Sequence, residues 1–113
     1  MDTNIQESID RVFKHIEHNR AVFLERLFDY LRQPSISAYG EGMGETADIL
    51  LAWMQELGME ARLMPTAGWP MIVGRRSDDP DKPTVLFYGH YDVQPPDPLD
   101  AWVSPPFEPT IRE

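Results

Sequence analysis

Cysteine is absent from the 113-residue chain, which excludes a disulfide framework and any thiolate metal site. No apolar run approaches the roughly 20 residues that a bilayer-spanning helix needs. The opening residues, Met1-Asp-Thr-Asn-Ile-Gln-Glu7, have neither a basic n-region nor an apolar h-region, so they do not read as a secretory signal, and a cytoplasmic location is the expectation. Basic side chains are scarce: 10 Lys and Arg stand against 19 Asp and Glu, a net charge of −9. Such a chain repels a polyanion on average, which argues against nucleic acid as a partner. Neither a repeat, a low-complexity tract nor a domain boundary is visible.

What is present fits one modest domain of 42% hydrophobic composition. Thr3 and Gln6 have the form of a capping box. Ile5, Ile9, Val12, Phe13 and Ile16, then Phe23, Leu24, Leu27, Phe28 and Leu31, recur at helical spacing, predicting one long helix, or two joined near Asn19, over about residues 4–32. Their apolar stripe is expected to be a core face. Pro34 closes this region. The glycines at 40, 42 and 44 mark a loop. A second helix is predicted from Glu45 or Thr46 to Leu57, burying Ala47, Leu50, Leu51, Met54 and Leu57, with Gly58 at its C-terminal cap. Met59–Leu63 alternates as a half-wet strand, and Trp69–Arg76 reads as another.

Two groupings of potential metal ligands are set aside. His15 and His18 share a helix face at i, i+3 but lack suitably placed carboxylates. The aspartates of Ser77-Asp-Asp-Pro-Asp-Lys82 lack the glycine and terminal glutamate of a calcium loop and read as a solvated turn.

The stretch Pro83-Thr-Val-Leu-Phe-Tyr-Gly-His90-Tyr-Asp92-Val-Gln-Pro95 carries the chemistry. Val85–Tyr88 is a continuous apolar run, predicting a strand buried on both faces. His90 and Asp92 follow at its carboxyl end, where ligands bind in open α/β sheets. Neutral imidazole is a good zinc ligand, and a carboxylate can accept the proton of the other ring nitrogen, fixing tautomer and orientation. A His-x-Asp pair alone reads rather as a hydrogen-bonded loop histidine, and it is the place at the end of an apolar strand that favours a site. Beyond it lie a proline-rich loop and, at Phe107–Arg112, a further expected strand.

Gly89-His-Tyr-Asp-Val-Gln-Pro-Pro96, preceded by Thr84-Val-Leu-Phe-Tyr88, closely resembles the first metal-binding block of the di-zinc metallopeptidases, the family of carboxypeptidase G, aminoacylase, succinyl-diaminopimelate desuccinylase and the carnosine-type dipeptidases. Trp102–Glu113 resembles the segment that follows it there. Pro34-Ser-Ile-Ser37 and Leu57-Gly-Met-Glu60 agree in order and type, and Tyr-Asp-Val-Gln is similar to the dipeptidase-like branch.

The resemblance implies an α/β fold: an incomplete catalytic domain over residues 1–113, its N-terminal part, with two helical regions packed on a mixed, open β-sheet. His90 matches a zinc ligand, and Asp92 matches the catalytic aspartate that braces it. The complete site would hold two zinc ions, with manganese or cobalt as other candidates. The remaining acidic ligands, the general-base glutamate and a distal histidine match nothing in this sequence. The implied function is amide hydrolysis of dipeptides or short peptides by the full-length enzyme, with this piece inactive alone, no membrane or nucleic-acid partner, and room for a homodimer. The alternatives are an N-acyl-amino-acid amidohydrolase of the same family and a truncated, non-catalytic interaction module.

Overall fold

A computed structural model describes residues 3–113 of the chain. Helices α1 (Thr3–His18), α2 (Arg20–Arg32) and α3 (Met43–Glu56) precede strands β1 (Glu60–Met64) and β2 (Met71–Arg75), and a short 3₁₀ turn spans Leu99–Ala101. The fold is of mixed α/β class. The side chain of Thr3, on which the capping box depends, lies outside what is described.

The break between α1 and α2 falls at Asn19. Its side-chain amide donates to the His15 carbonyl at 2.8 Å, a local bond that competes with the helical ladder. The same amide lies 3.3 Å from His15 Nδ1, and the His15 ring leans against Phe23. The apolar stripe expected to form a core face is open: Ile5, Val12, Phe13 and Ile16 are all more than two-fifths exposed. Its periodicity makes a helix, but among the described residues nothing covers it.

Helix α3 is the helix laid on the sheet, touching both strands. The sheet itself is a two-stranded antiparallel ribbon, with Arg62 opposite Val73 at the centre of its register. Ala61 and Leu63 point inward from β1 while Glu60, Arg62 and Met64 face water, matching the alternation in sequence. Gly58 ends α3 in the left-handed conformation (φ 76°), and its N–H donates to the Gln55 carbonyl. A seam joins α2 to α3: Arg26 pairs with Glu56 at 2.6 Å and lies over the Trp53 ring, which also meets Tyr30. The ion pair is exposed at both ends and worth at most about 1 kcal/mol.

Helix α3 begins at Met43, earlier than Glu45 or Thr46. Thr46 is fully buried and does not cap; its hydroxyl donates back to the Gly42 carbonyl at 2.8 Å and lies 3.2 Å from that of Pro34. Among the described residues, those buried are Ser35, Ile36, Met43, Thr46 and Ala47, from the α2–α3 loop and the first five residues of α3. Leu50, Leu51 and Met54 are half-buried, and Leu57 is exposed.

Two strand expectations are corrected. Val85–Tyr88 is not in a strand, and Leu86, Phe87 and Tyr88 are about nine-tenths exposed. A strand exists only by pairing, and the ribbon β1–β2 does not extend to this segment. Phe107–Arg112 is likewise outside any strand. The sheet is therefore a ribbon rather than a mixed sheet, and α3 is the helix packed on it. The radius of gyration, 17.7 Å, exceeds the about 13 Å of a closed domain of this length.

Candidate functional site

The turn between α2 and α3 is built first. Ile36 N–H donates to the Glu41 carbonyl at 2.9 Å and Glu41 N–H returns to the Ile36 carbonyl at 3.2 Å, pinching residues 36–41 into a tight loop. Gly42, at φ 70°, brings its backbone against Pro34. Ile36 is buried on one side of this loop, which leaves Ser37 facing the other way and half-buried.

Residues 91–93 dock on that loop. Val93 N–H donates to the Ser35 carbonyl at 2.9 Å, a parallel bridge between Ile36 and Val93. Tyr91 anchors the segment from the other side, its hydroxyl donating to the Pro70 carbonyl at 2.8 Å, just before β2. Asp92 stands between these two anchors and His90 immediately before them.

His90 Nδ1 lies 3.0 Å from Asp92 Oδ1 and 3.0 Å from the Asp92 carbonyl oxygen. Both partners are acceptors, so Nδ1 carries the proton and, in the neutral ring, Nε2 carries the lone pair. His90 is largely exposed, with 77% of its side-chain surface open, so that lone pair is not spent on packing. The second carboxylate oxygen of Asp92, Oδ2, accepts the Ser37 hydroxyl at 2.6 Å. The Ser37 hydroxyl is the main reason that the Asp92 carboxyl is held below its ordinary pKa, with the His90 hydrogen bond next. The carboxylate in turn raises the pKa of Tyr91 and Tyr30, in both cases after burial as the larger cause.

The sequence singled out His90 and Asp92, and the structure brings them into contact. Ser37 joins them from 55 residues away, and nothing in the sequence pairs it with Asp92. Its only signal was the Pro34-Ser-Ile-Ser37 block, whose likeness to other proteins names no contact.

Among the described residues no three His, Asp or Glu side chains converge to hold a metal. The donor chemistry fits one nitrogen contribution, from His90 Nε2. A catalytic zinc needs about three protein ligands, so these residues could supply at most one of them and do not by themselves make a metal site.

No protein-family model matches the chain. Individual proteins do. The Cys-Gly metallodipeptidase dug1 of Schizosaccharomyces pombe is 30% identical over 92% of this chain and 25% of its own length. The corresponding Candida albicans protein is 33% identical over 85% of this chain and 23% of its own length. The succinyl-diaminopimelate desuccinylase of Psychromonas ingrahamii is 35% identical over 78% of this chain and 22% of its own length. In structure, the chain is similar to an M20 family metallo-carboxypeptidase from Sulfolobus solfataricus: TM-score 0.73, 43% identity, 79% of this chain and 20% of that one. The chain thus spans about a quarter of the length of the curated relatives it matches.

Proposed function

We propose, from the premise that the chain belongs with the M20 metallopeptidases, that it serves as the N-terminal part of the catalytic domain of a longer zinc-dependent hydrolase. The reaction is cleavage of the amide bond of dipeptides or other short peptides. Bound zinc supplies a Lewis acid for the scissile carbonyl and for water. The chain's own contribution is narrower. His90 offers Nε2 to one metal, and Asp92 holds the ring in the tautomer that makes Nε2 available.

The observation that carries this reading is the contact between His90 Nδ1 and Asp92 Oδ1 at 3.0 Å, which directs the free nitrogen away from the carboxylate. A ligand histidine normally donates its other N–H to a carboxylate or carbonyl, and His90 has both. No helix among the described residues is long and apolar enough to cross a membrane. A cytoplasmic location and a homodimer belong to the same proposal.

The test is made on the full-length protein. His90→Ala is expected to lower zinc content from two ions per chain to one and to abolish dipeptide hydrolysis, whereas Asp92→Asn keeps zinc near two and slows turnover. Retention of both zinc ions and of activity in His90→Ala would remove His90 from the site. A second reading rests on a separate observation, the exposed apolar segment Val85–Tyr88. In that reading the chain is a non-catalytic association module, and a discrete complex indifferent to chelators, without zinc binding, would favour it.

A further inference from the structure

We propose that Ser37 is a positioning residue of this site, orienting His90 through Asp92. The proposal deepens the hydrolase reading and rests on it for its catalytic meaning, but its structural content stands on the loop geometry. An aspartate side chain has two rotatable bonds, and that of Asp92 is two-fifths exposed, so contact with His90 alone leaves it free to turn toward solvent. Ser37 removes that freedom. Its hydroxyl takes Oδ2 at 2.6 Å, which leaves Oδ1 for His90 Nδ1 at 3.0 Å.

Ser37 can do this because its own place is fixed by backbone. Ile36 beside it is 3% exposed and paired in both directions with Glu41, and Ser37's carbonyl accepts the Gly40 N–H at 3.3 Å. The Ser35 carbonyl holds Val93 N–H, so the two segments keep register beside the Ser37–Asp92 contact. The result is two hydrogen bonds converging on one carboxylate, Ser37 O–H on Oδ2 and His90 Nδ1–H on Oδ1, with Nε2 left for a metal. The Asp92 carbonyl is a second acceptor for Nδ1–H. It is neutral and therefore weaker than an ionised carboxylate, so loss of the Ser37 bond loosens the tautomer preference of His90 without abolishing it.

The experiment has two readouts on the full-length protein. The first is the tautomer ratio of His90, from ring ¹⁵N shifts of the metal-free protein at a pH where the imidazole is neutral. The second is zinc affinity by chelator competition. Ser37→Ala is expected to shift the ratio at least threefold toward Nε2–H and to weaken zinc binding about tenfold, the scale set by partners behind a metal ligand. Ser37→Thr, which keeps the hydroxyl, is expected to restore both. In an Asp92→Ala background, Ser37→Ala should have no further effect, which a merely structural role for Ser37 does not predict. Should Ser37→Ala fail to fold, Ser37→Val against Ser37→Thr carries the comparison, since the two share one shape and differ in the hydroxyl.

An unchanged tautomer ratio in a folded Ser37→Ala or Ser37→Val protein overturns the proposal, whether or not zinc binds. A shifted ratio in a protein that binds no zinc sustains the positioning of His90 by Ser37 and overturns the hydrolase reading instead.

Discussion

A β-carbon placed on Gly42 would stand 1.8 Å from the carbonyl oxygen of Pro34. The obstructing oxygen belongs to the backbone, so it cannot turn aside as the end of a flexible side chain could. Gly42 also sits at φ 70°, where other residues are strained by about 1–3 kcal/mol. Gly42→Ala is therefore expected to cost more than about 2 kcal/mol, measurable as a fall in the urea midpoint, and to open the loop that carries Ser37. A Gly42→Ala protein as stable as the parent would mean that this turn is not formed.

The Asp92 carboxyl is held below its ordinary pKa by Ser37 first and by His90 second. Its folded-state value thus lies below the roughly 3.9 of an unfolded aspartate. The stability it contributes is present above that unfolded value and is lost as pH falls through the folded one. Urea midpoints followed from pH 6 downward should fall more steeply in the parent than in Asp92→Asn. Asp78 has the same sign of shift, from Arg76, but is common to both proteins and cancels in the difference. Parallel profiles would show that Asp92 is not held by its neighbours.

Tyr91→Phe removes the hydroxyl that donates to the Pro70 carbonyl while keeping the ring. A bond of this kind contributes about 0.5–1.5 kcal/mol. The expected loss is about 1 kcal/mol, read by thermal unfolding. A larger fall is expected in the protection of the residue 91–93 amides from hydrogen exchange, because Tyr91 is one of the two anchors of that segment. Unchanged protection would assign the docking to Val93 alone.

Leu86 and Phe87 are each 89% exposed, in a continuous apolar segment with no strand beside it among the described residues. Contiguous exposed apolar chain drives association. The 113-residue chain on its own is expected to self-associate with rising concentration, and Leu86→Lys with Phe87→Lys to reduce this at least several-fold by sedimentation velocity. Equal association of the two would place the contact elsewhere, with the open stripe of α1 next in line.

Local structure was largely legible in the residues. Helical periodicity located the helical region of residues 4–32 while leaving open one helix or two joined near Asn19, Gly58 marked the end of α3, and alternation located β1. These features depend on neighbours within a few positions. The segment Val85–Tyr88 failed for the opposite reason. Apolarity says what a segment gains by burial, but whether it is buried depends on strands and helices elsewhere, and none covers it here. The same limit applied at the site. His90 and Asp92 are two residues apart and could be paired on sight, whereas the Ser37–Asp92 bond joins positions 55 residues apart and becomes visible only when the loop is folded. The start of α3 at Met43, before Glu45 or Thr46, depends on the left-handed turn at Gly42, which the spacing of apolar residues does not encode.

The buried cluster around Ile36, Met43 and Ala47 has a consequence in time. Its bonds are local, the longest reaching from Thr46 to Pro34. The residues that dock on it, Asp92 and Val93, lie about half the chain further on. At roughly 5–20 residues per second of synthesis, the cluster, complete once Ala47 is made, has on the order of 2 to 9 s to settle before Asp92 is added. The growing polypeptide can thus form the seat before it makes the residue that sits there, and a defect such as Gly42→Ala should already be felt at that early stage.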